Sequence, residues 1–376
     1  MHKVVRFLLV LALAGPTAVL ASSEGHGGHG DDHKKELTPE QKKAHNKHYV
    51  IHHTQDSHDF GIFANESEGT HYGFPLPVIL WDDGIHFFMS SKFDHGHKTV
   101  ESNGKYFRLN YADGKVYKAD AEGHYITKKV WDADLEMHVQ EPVEVLDFSI
   151  TKNVLVTILM AIFMFFLFRS VARSYQKGLA PSGAAKFLEP IIIYIRDEIA
   201  RPNIGEKHYK KYMVYLLSVF FFIWFLNLSG MTPLGINVTG NIAFTAALAV
   251  MTYLITTFTA KKDYWMHIVW MPGVPVPMKI ILFPIELLGT IIKPFALMIR
   301  LYANMLAGHV VLGMLLVAAY GFSSYFASGA FIGLTFFMNI IELLVALLQA
   351  YIFTMLTALY FGAAAEEHDH EHAAAH

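Results

Sequence analysis

The chain contains no cysteine, so disulfides, thiolate metal sites and thiol redox chemistry are excluded, and any exported part must fold without covalent staples. Charge is scarce as well. Only 17% of the 376 residues are charged and the net charge is -3, which leaves no basic field for a nucleic acid. What fills the space is apolar: 53% of the chain is hydrophobic, above the share of an ordinary soluble domain. The composition therefore implies a multi-span membrane protein.

Residues 1–21 read as a signal peptide, with Lys3 and Arg6 ahead of an apolar core and Val19-Leu20-Ala21 as a small-residue cleavage site. The mature N-terminus is then expected outside the cytoplasm. Residues 22–47 are polar and His-rich, and 14 of the 22 histidines lie between His26 and His138. A metal-sequestering arm and a plain solvated linker both fit that composition. Residues 48–145 change character. Short runs such as Val78-Ile79-Leu80-Trp81, Lys105 to Tyr111 and His124 to Thr127 alternate with turn signals ending at Gly84, Gly104, Gly114 and Gly123, which predicts a small extracytoplasmic β domain, a meander or sandwich.

Residues 146–376 predict an all-helical membrane domain of five spans: Phe148 to Val171, Tyr212 to Met231, Ile242 to Ala260, Ile280 to Ala319 and Ala330 to Phe361. Arg169, Arg173, Lys177 and Lys186 after the first span, and Lys261-Lys262 after the third, place those ends in the cytoplasm. Leu188, Ile191, Ile192, Ile195 and Ile199 fall on one side of a helix, opposite Arg196, Asp197 and Glu198, so an amphipathic helix is expected on the cytoplasmic surface. An odd span count puts the tail from Glu366 to His372 inside.

The chemistry concentrates on one charge in the wrong solvent. Arg300 lies 21 residues beyond Lys279, about 32 Å along a helix and so with no nearby end to snorkel to. An intramembrane Arg costs about 3 kcal/mol on insertion scales and does not escape by deprotonating. It needs a counter-charge. Ala296, Ala303, Asn304 and Ala307 share its helical face, and Gly308 borders it, a stripe of small side chains that lets another helix approach. A run this long is expected to be steeply tilted or broken, with Gly289 and Pro294 as bending points. His309 looks away from the arginine, half a turn round. On the last helix Glu342, Ala346 and Gln349 make one polar stripe on an otherwise apolar surface, and ionisable residues so placed face water or each other.

The run Pro294-Phe-Ala-Leu-Met-Ile-Arg-Leu-Tyr-Ala-Asn-Met-Leu-Ala-Gly308 resembles the signature of subunit a of F-type ATP synthases, and the likeness extends over roughly Phe148 to Phe361. The resemblance implies a non-catalytic, proton-translocating stator subunit without cofactor or metal. It would work in a bacterial inner membrane beside the c-ring subunits, the peripheral-stalk b subunits and the rest of the synthase. Arg300 and Asn304 match the family's arginine and following asparagine. Ala296, Ala303, Ala307 and Gly308 would face the c-ring, Gln349 matches a family glutamine near the arginine, and Glu286 matches a carboxylate at the cytoplasmic exit. His309 and Glu342 match positions that carry Glu and His in the best-known bacterial members, so the pair is exchanged here. Asn227, Asn237 and Thr239 resemble polar positions of the access path, and fit interfacial hydrogen bonding equally well.

Two other classes remain to be weighed. A divalent-metal transporter would gather several His, Asp or Glu ligands at mid-membrane, whereas the intramembrane set here centres on a cation. An envelope receptor with a membrane anchor would need only one span.

Overall fold

A computed structural model describes residues 56–65, 70–94, 96–110, 113–132, 137–177, 183–232, 236–270, 275–321 and 325–365. The expected signal peptide, the His-rich stretch 22–47 and the tail 366–372 lie outside the described residues. The chain divides into two compact units, one of residues up to 158 with 230–238 and 309–340, the other of 159–229, 239–308 and 341 onward.

Among the described residues the first unit carries ten strands: β1 (Asp59–Asn65), β2 (Thr70–Pro75), β3 (Pro77–Trp81), β4 (Ile85–Met89), β5 (Val100–Ser102), β6 (Lys105–Leu109), β7 (Val116–Ala119), β8 (Thr127–Asp132), β9 (Met137–Pro142) and β10 (Leu146–Asp147). They pair as β1-β2, β10-β3-β4, β5-β6-β7 and β8-β9. The glycine signals become turns for a steric reason: Asn103 and Gly104 both take positive φ between paired Ser102 and Lys105, the backbone of a two-residue hairpin. One expectation shifts. The strand predicted from His124 begins only at Thr127, because Asp120 accepts the Glu122 and His124 amides and holds that stretch as a turn. Val78, Leu80 and Phe88 from one three-stranded sheet bury against Val100, Phe107, Leu109 and Val116 from another, with Phe93 between them. This is the small core that the alternating apolar runs require.

The β domain is stitched to the helix that follows. That helix, α1 (Lys152–Lys177), leaves its first amides without intrahelical partners, and Asp56 supplies one: its carboxylate accepts the Asn153 amide at 3.1 Å and the Thr151 hydroxyl at 2.9 Å. Alongside, buried His58 meets Asp147 at 2.8 Å. Replacing Asp56 with Ala should cost about 1 kcal/mol, the worth of a helix cap, and so speed hydrogen exchange in the first turn of α1 about fivefold. Unchanged protection there would mean that the contact does not stabilise the helix.

Among the described residues the helices that follow are α2 (Ala184–Tyr194), running through a π-helical turn (Ile195–Ala200) into α3 (Arg201–Ile204), then α4 (Tyr209–Gly230), α5 (Ile242–Thr259), α6 (Lys262–Val269), α7 (Val276–Gly321) and α8 (Tyr325–Ala365). Among the described residues α1, α4, α5, α7 and α8 are long and apolar enough to cross a membrane, the five spans expected. Two details add to the sequence reading. First, of the two courses expected for the long run, tilted or broken, the unbroken one is seen: α7 continues through Gly289 and Pro294. Each proline forfeits a single donor, which membrane helices tolerate when neighbouring groups take up the freed carbonyl. Its 46 residues extend about 69 Å, more than the hydrocarbon thickness, an excess that a tilted course accommodates.

Second, the amphipathic segment is more than a surface helix. Leu188, Ile195, Ile199 and Ala200 are buried in the core of the second unit with Leu216, Phe221 and Ile223 of α4, Leu297 and Leu301 of α7, and Phe353 and Phe361 of α8. The polar side carries Arg196 and Arg201, which both clasp Asp197 at 2.8 Å. At Gly362 the backbone of α8 comes so close to the Asn203 carbonyl that any side chain would collide with it.

Candidate functional site

The burial of α7 in the second unit sorts its residues into two sides. Leu297, Leu301 and Met305 are buried, whereas Ala296, Ala303, Asn304 and Ala307 are exposed and Arg300 is half-exposed between them. The arginine therefore stands on the border of an open strip of small residues. Gly308, at the border of the stripe, also faces α8. It lies on the inward side, where a Cβ would stand 2.7 Å from Glu342 Oε1 and 3.1 Å from its carboxyl carbon; the missing side chain is what admits the carboxylate. Glu342, Ala346 and Gln349 are all buried. His309, the next residue along α7, is half-buried.

The polar stripe of α8 is joined to the α4–α5 hairpin. Thr239 donates its hydroxyl to Asn227 Oδ1 at 2.8 Å, and Asn227 Nδ2 donates to the Ala346 carbonyl at 3.4 Å. All three are buried, so Asn227 and Thr239 act at least as interhelical hydrogen-bonding residues. Asn237 is buried as well.

A second polar feature escaped the sequence reading. Thr252, Tyr253 and Thr256 of α5, Tyr264 of α6, Thr290 and Lys293 of α7, and Tyr360 of α8 line a cavity of about 30 Å³, room for about one water. The Tyr264 hydroxyl, whose pKa is raised by burial, feels Glu286 as well. Tyr360 lies within electrostatic reach of Arg300. The cavity thus sits between the surroundings of Glu286 and those of the arginine. Thr245, Thr252 and Thr256 do recur on one buried side of α5, a signal the sequence carried, whereas α6, α7 and α8 bring a single hydroxyl each to the cavity and so show no pattern of their own.

Of the other candidates, Glu286 is half-exposed on α7. In the β domain Asp120, Glu122 and His124 come together at the turn before Gly123, but they are solvent-facing, and the backbone bonds of Asp120 already account for the cluster.

With this geometry in hand, comparison with known proteins is decisive. The ATP synthase A chain family matches residues 154–362, more than half of the chain. The chain belongs to that family. "ATP synthase subunit a 2" of Chlorobaculum tepidum is 42% identical over 232 residues, covering 59% of this chain and 65% of that one. "ATP synthase subunit a" of an Anaeromyxobacter species is 38% identical over 267 residues, covering 68% of this chain and 62% of the relative. The protein of the same name from Chloroherpeton thalassium is 37% identical over 262 residues, 67% of this chain and 78% of its own. The chain thus spans just under two thirds of the length of the first two relatives. Residues 49–148 match a separate family, described as a domain of unknown function (DUF8433), so the ATP synthase A chain match covers the helical part and leaves the β sheets outside it.

Proposed function

We infer that this chain is the proton-conducting stator subunit of a bacterial F-type ATP synthase, a non-catalytic partner of the c-ring, the b subunits and the remaining synthase subunits in the inner membrane. The observation that carries the reading is the position of Arg300 on an open, small-residue strip, with Glu342 and Gln349 turned inward. A c-ring helix fits a strip of that kind, because Ala and Asn let its backbone come close enough for a carboxylate to meet the guanidinium.

The mechanism follows from charge. A proton enters past His309 and Glu342 and neutralises a c-ring carboxylate, which then turns into lipid; after nearly a full revolution the proton leaves toward the cytoplasm near Glu286. The hydroxyl-lined cavity between Glu286 and Arg300 supplies polar stepping points on that exit side. Arg300 pairs with the deprotonated carboxylate and keeps the two half-paths apart. Each proton contributes about 2.3 kcal/mol per 100 mV of membrane potential. Positive-inside bias supports a β domain outside and a C-terminus in the cytoplasm. Co-purification of a small, very apolar, ring-forming subunit tests the assignment against a metal carrier or an anchored receptor, neither of which needs one.

Gly308 gives a finer test. Alanine there favours the helix by up to about 1 kcal/mol, yet its methyl must push the Glu342 carboxylate aside. Gly308→Ala is expected to slow ATP-driven acidification of vesicles several-fold, and Gly308→Leu more, with normal assembly. Full activity in both variants would separate Glu342 from the proton path.

A further inference from the structure

The sheet β10-β3-β4 has two apolar faces, and the domain core uses only one. Val78, Leu80 and Phe88 point into the core. The register pairs Trp81 with both Ile85 and Leu146, Ile79 with Phe87, and Pro77 with Met89, and directly paired residues share a face. Phe148 extends that register, since its amide bonds the Ile79 carbonyl at 2.8 Å. The opposite face therefore collects Trp81, Ile85, Phe87, Met89, Leu146 and Phe148, none of them charged. It is open: Phe87 is 66%, Phe148 65%, Leu146 63% and Ile85 62% exposed. Soluble domains rarely leave so continuous an apolar sheet face in water.

What covers it is indicated by where the strand goes next. From Phe148 the chain runs to the start of α1 at Lys152, tied on the way by the Ile150 amide to the Pro77 carbonyl and the Lys152 amide to the Ser57 carbonyl. Four residues reach at most about 14 Å, and α1 is a membrane-spanning segment whose first turns expose Val154 and Ile158. The apolar face is thus continuous along the chain with a surface that lipid covers. Its mixture of Trp, Phe and branched aliphatics is the composition that partitions to the headgroup level of a bilayer.

We propose that this face of the β domain, built on Trp81, Ile85, Phe87, Met89, Leu146 and Phe148, lies on the bilayer and inserts its side chains into the headgroup–acyl boundary, making the domain a membrane-seated platform at the mouth of α1. Apolar area in that boundary provides the adhesion, as in interfacial helices, and the Asp56 cap and the β10 pairing hold the platform in register with the span.

The absence of cysteine makes the test direct. Phe87→Cys and Leu146→Cys, on two strands of the face, and Glu101→Cys, an exposed site on β5, are each given a nitroxide label in the full-length chain. Each protein is purified with its associated subunits and returned to phosphatidylcholine and phosphatidylglycerol vesicles. Collision rates with oxygen, which concentrates in lipid, and with a water-soluble nickel chelate are then compared. Positions 87 and 146 are expected to collide with oxygen and to meet the chelate several-fold less often than position 101 does. Chelate access at 87 and 146 equal to that at 101 would place the face in water and overturn the proposal. Protection from both reagents would overturn it differently, by showing that protein covers the face: another subunit, a second copy, or residues 1–55 of this chain.

Discussion

Arg300→Ala is expected to abolish ATP-driven proton pumping while leaving the complex assembled. The arginine is only half-buried and lies beside Ala296, Ala303, Asn304 and Ala307 rather than in the packed interior, so its removal leaves no cavity in the core of Leu297, Leu301 and their neighbours. Assembly is therefore spared. On the proposed mechanism, what is lost is a permanent cation within an apolar span, and with it the barrier between the two half-paths. Lysine is not a substitute: its compact ammonium gives up its proton in an apolar setting, whereas the guanidinium stays charged and offers a planar fork to a carboxylate. The measurement is acidification of inverted membrane vesicles on ATP addition. Vesicles carrying the alanine variant that still acidified would remove Arg300 from the mechanism.

The second large effect concerns the exchanged pair. Glu342→Ala and His309→Ala are each expected to slow proton flux severely, by an order of magnitude or more, and the double swap His309→Glu with Glu342→His to recover part of it. A carboxylate and an imidazole placed as neighbours can hand a proton on in either order, because each can both take up and release one. The groove at Gly308 bears on the size of the rescue. It is shaped to the Glu342 carboxylate, so an imidazole in its place has to seat differently, and recovery should be partial. A double swap no better than the worse single swap would mean that the two residues do not form one relay.

How far the sequence could be read depended on the range of each interaction. Arg300 was legible because a cation deep in an apolar run needs a reason that no local packing supplies, and its flanking motif carries the family likeness. The hairpin at Asn103-Gly104 was legible because positive φ is a local steric demand. The course of α7 was legible only as two alternatives, tilted or broken, because the proline rule weighs local propensity and does not say which helices continue through the residue. The seating of Glu342 on Gly308 joins two helices through an empty side chain, and an absent group leaves no mark in hydropathy. The amphipathic segment around Ile195 gave the right face but not its neighbour, since periodicity identifies an apolar side without saying whether lipid or protein meets it.

The cap on α1 carries a consequence for biogenesis. Asp56 and Asn153 are 97 residues apart, so the first turn of this span is completed by a group synthesised long before it. Closing a loop of that length costs only about 0.6 kcal/mol more than closing one half as long, provided that something else draws the ends together, and the pairing of β10 with β3 does so. The β domain and the entrance of the first span should therefore mature as one event. A newly inserted chain whose β domain has not yet closed would leave the first turn of α1 without the Asp56 cap.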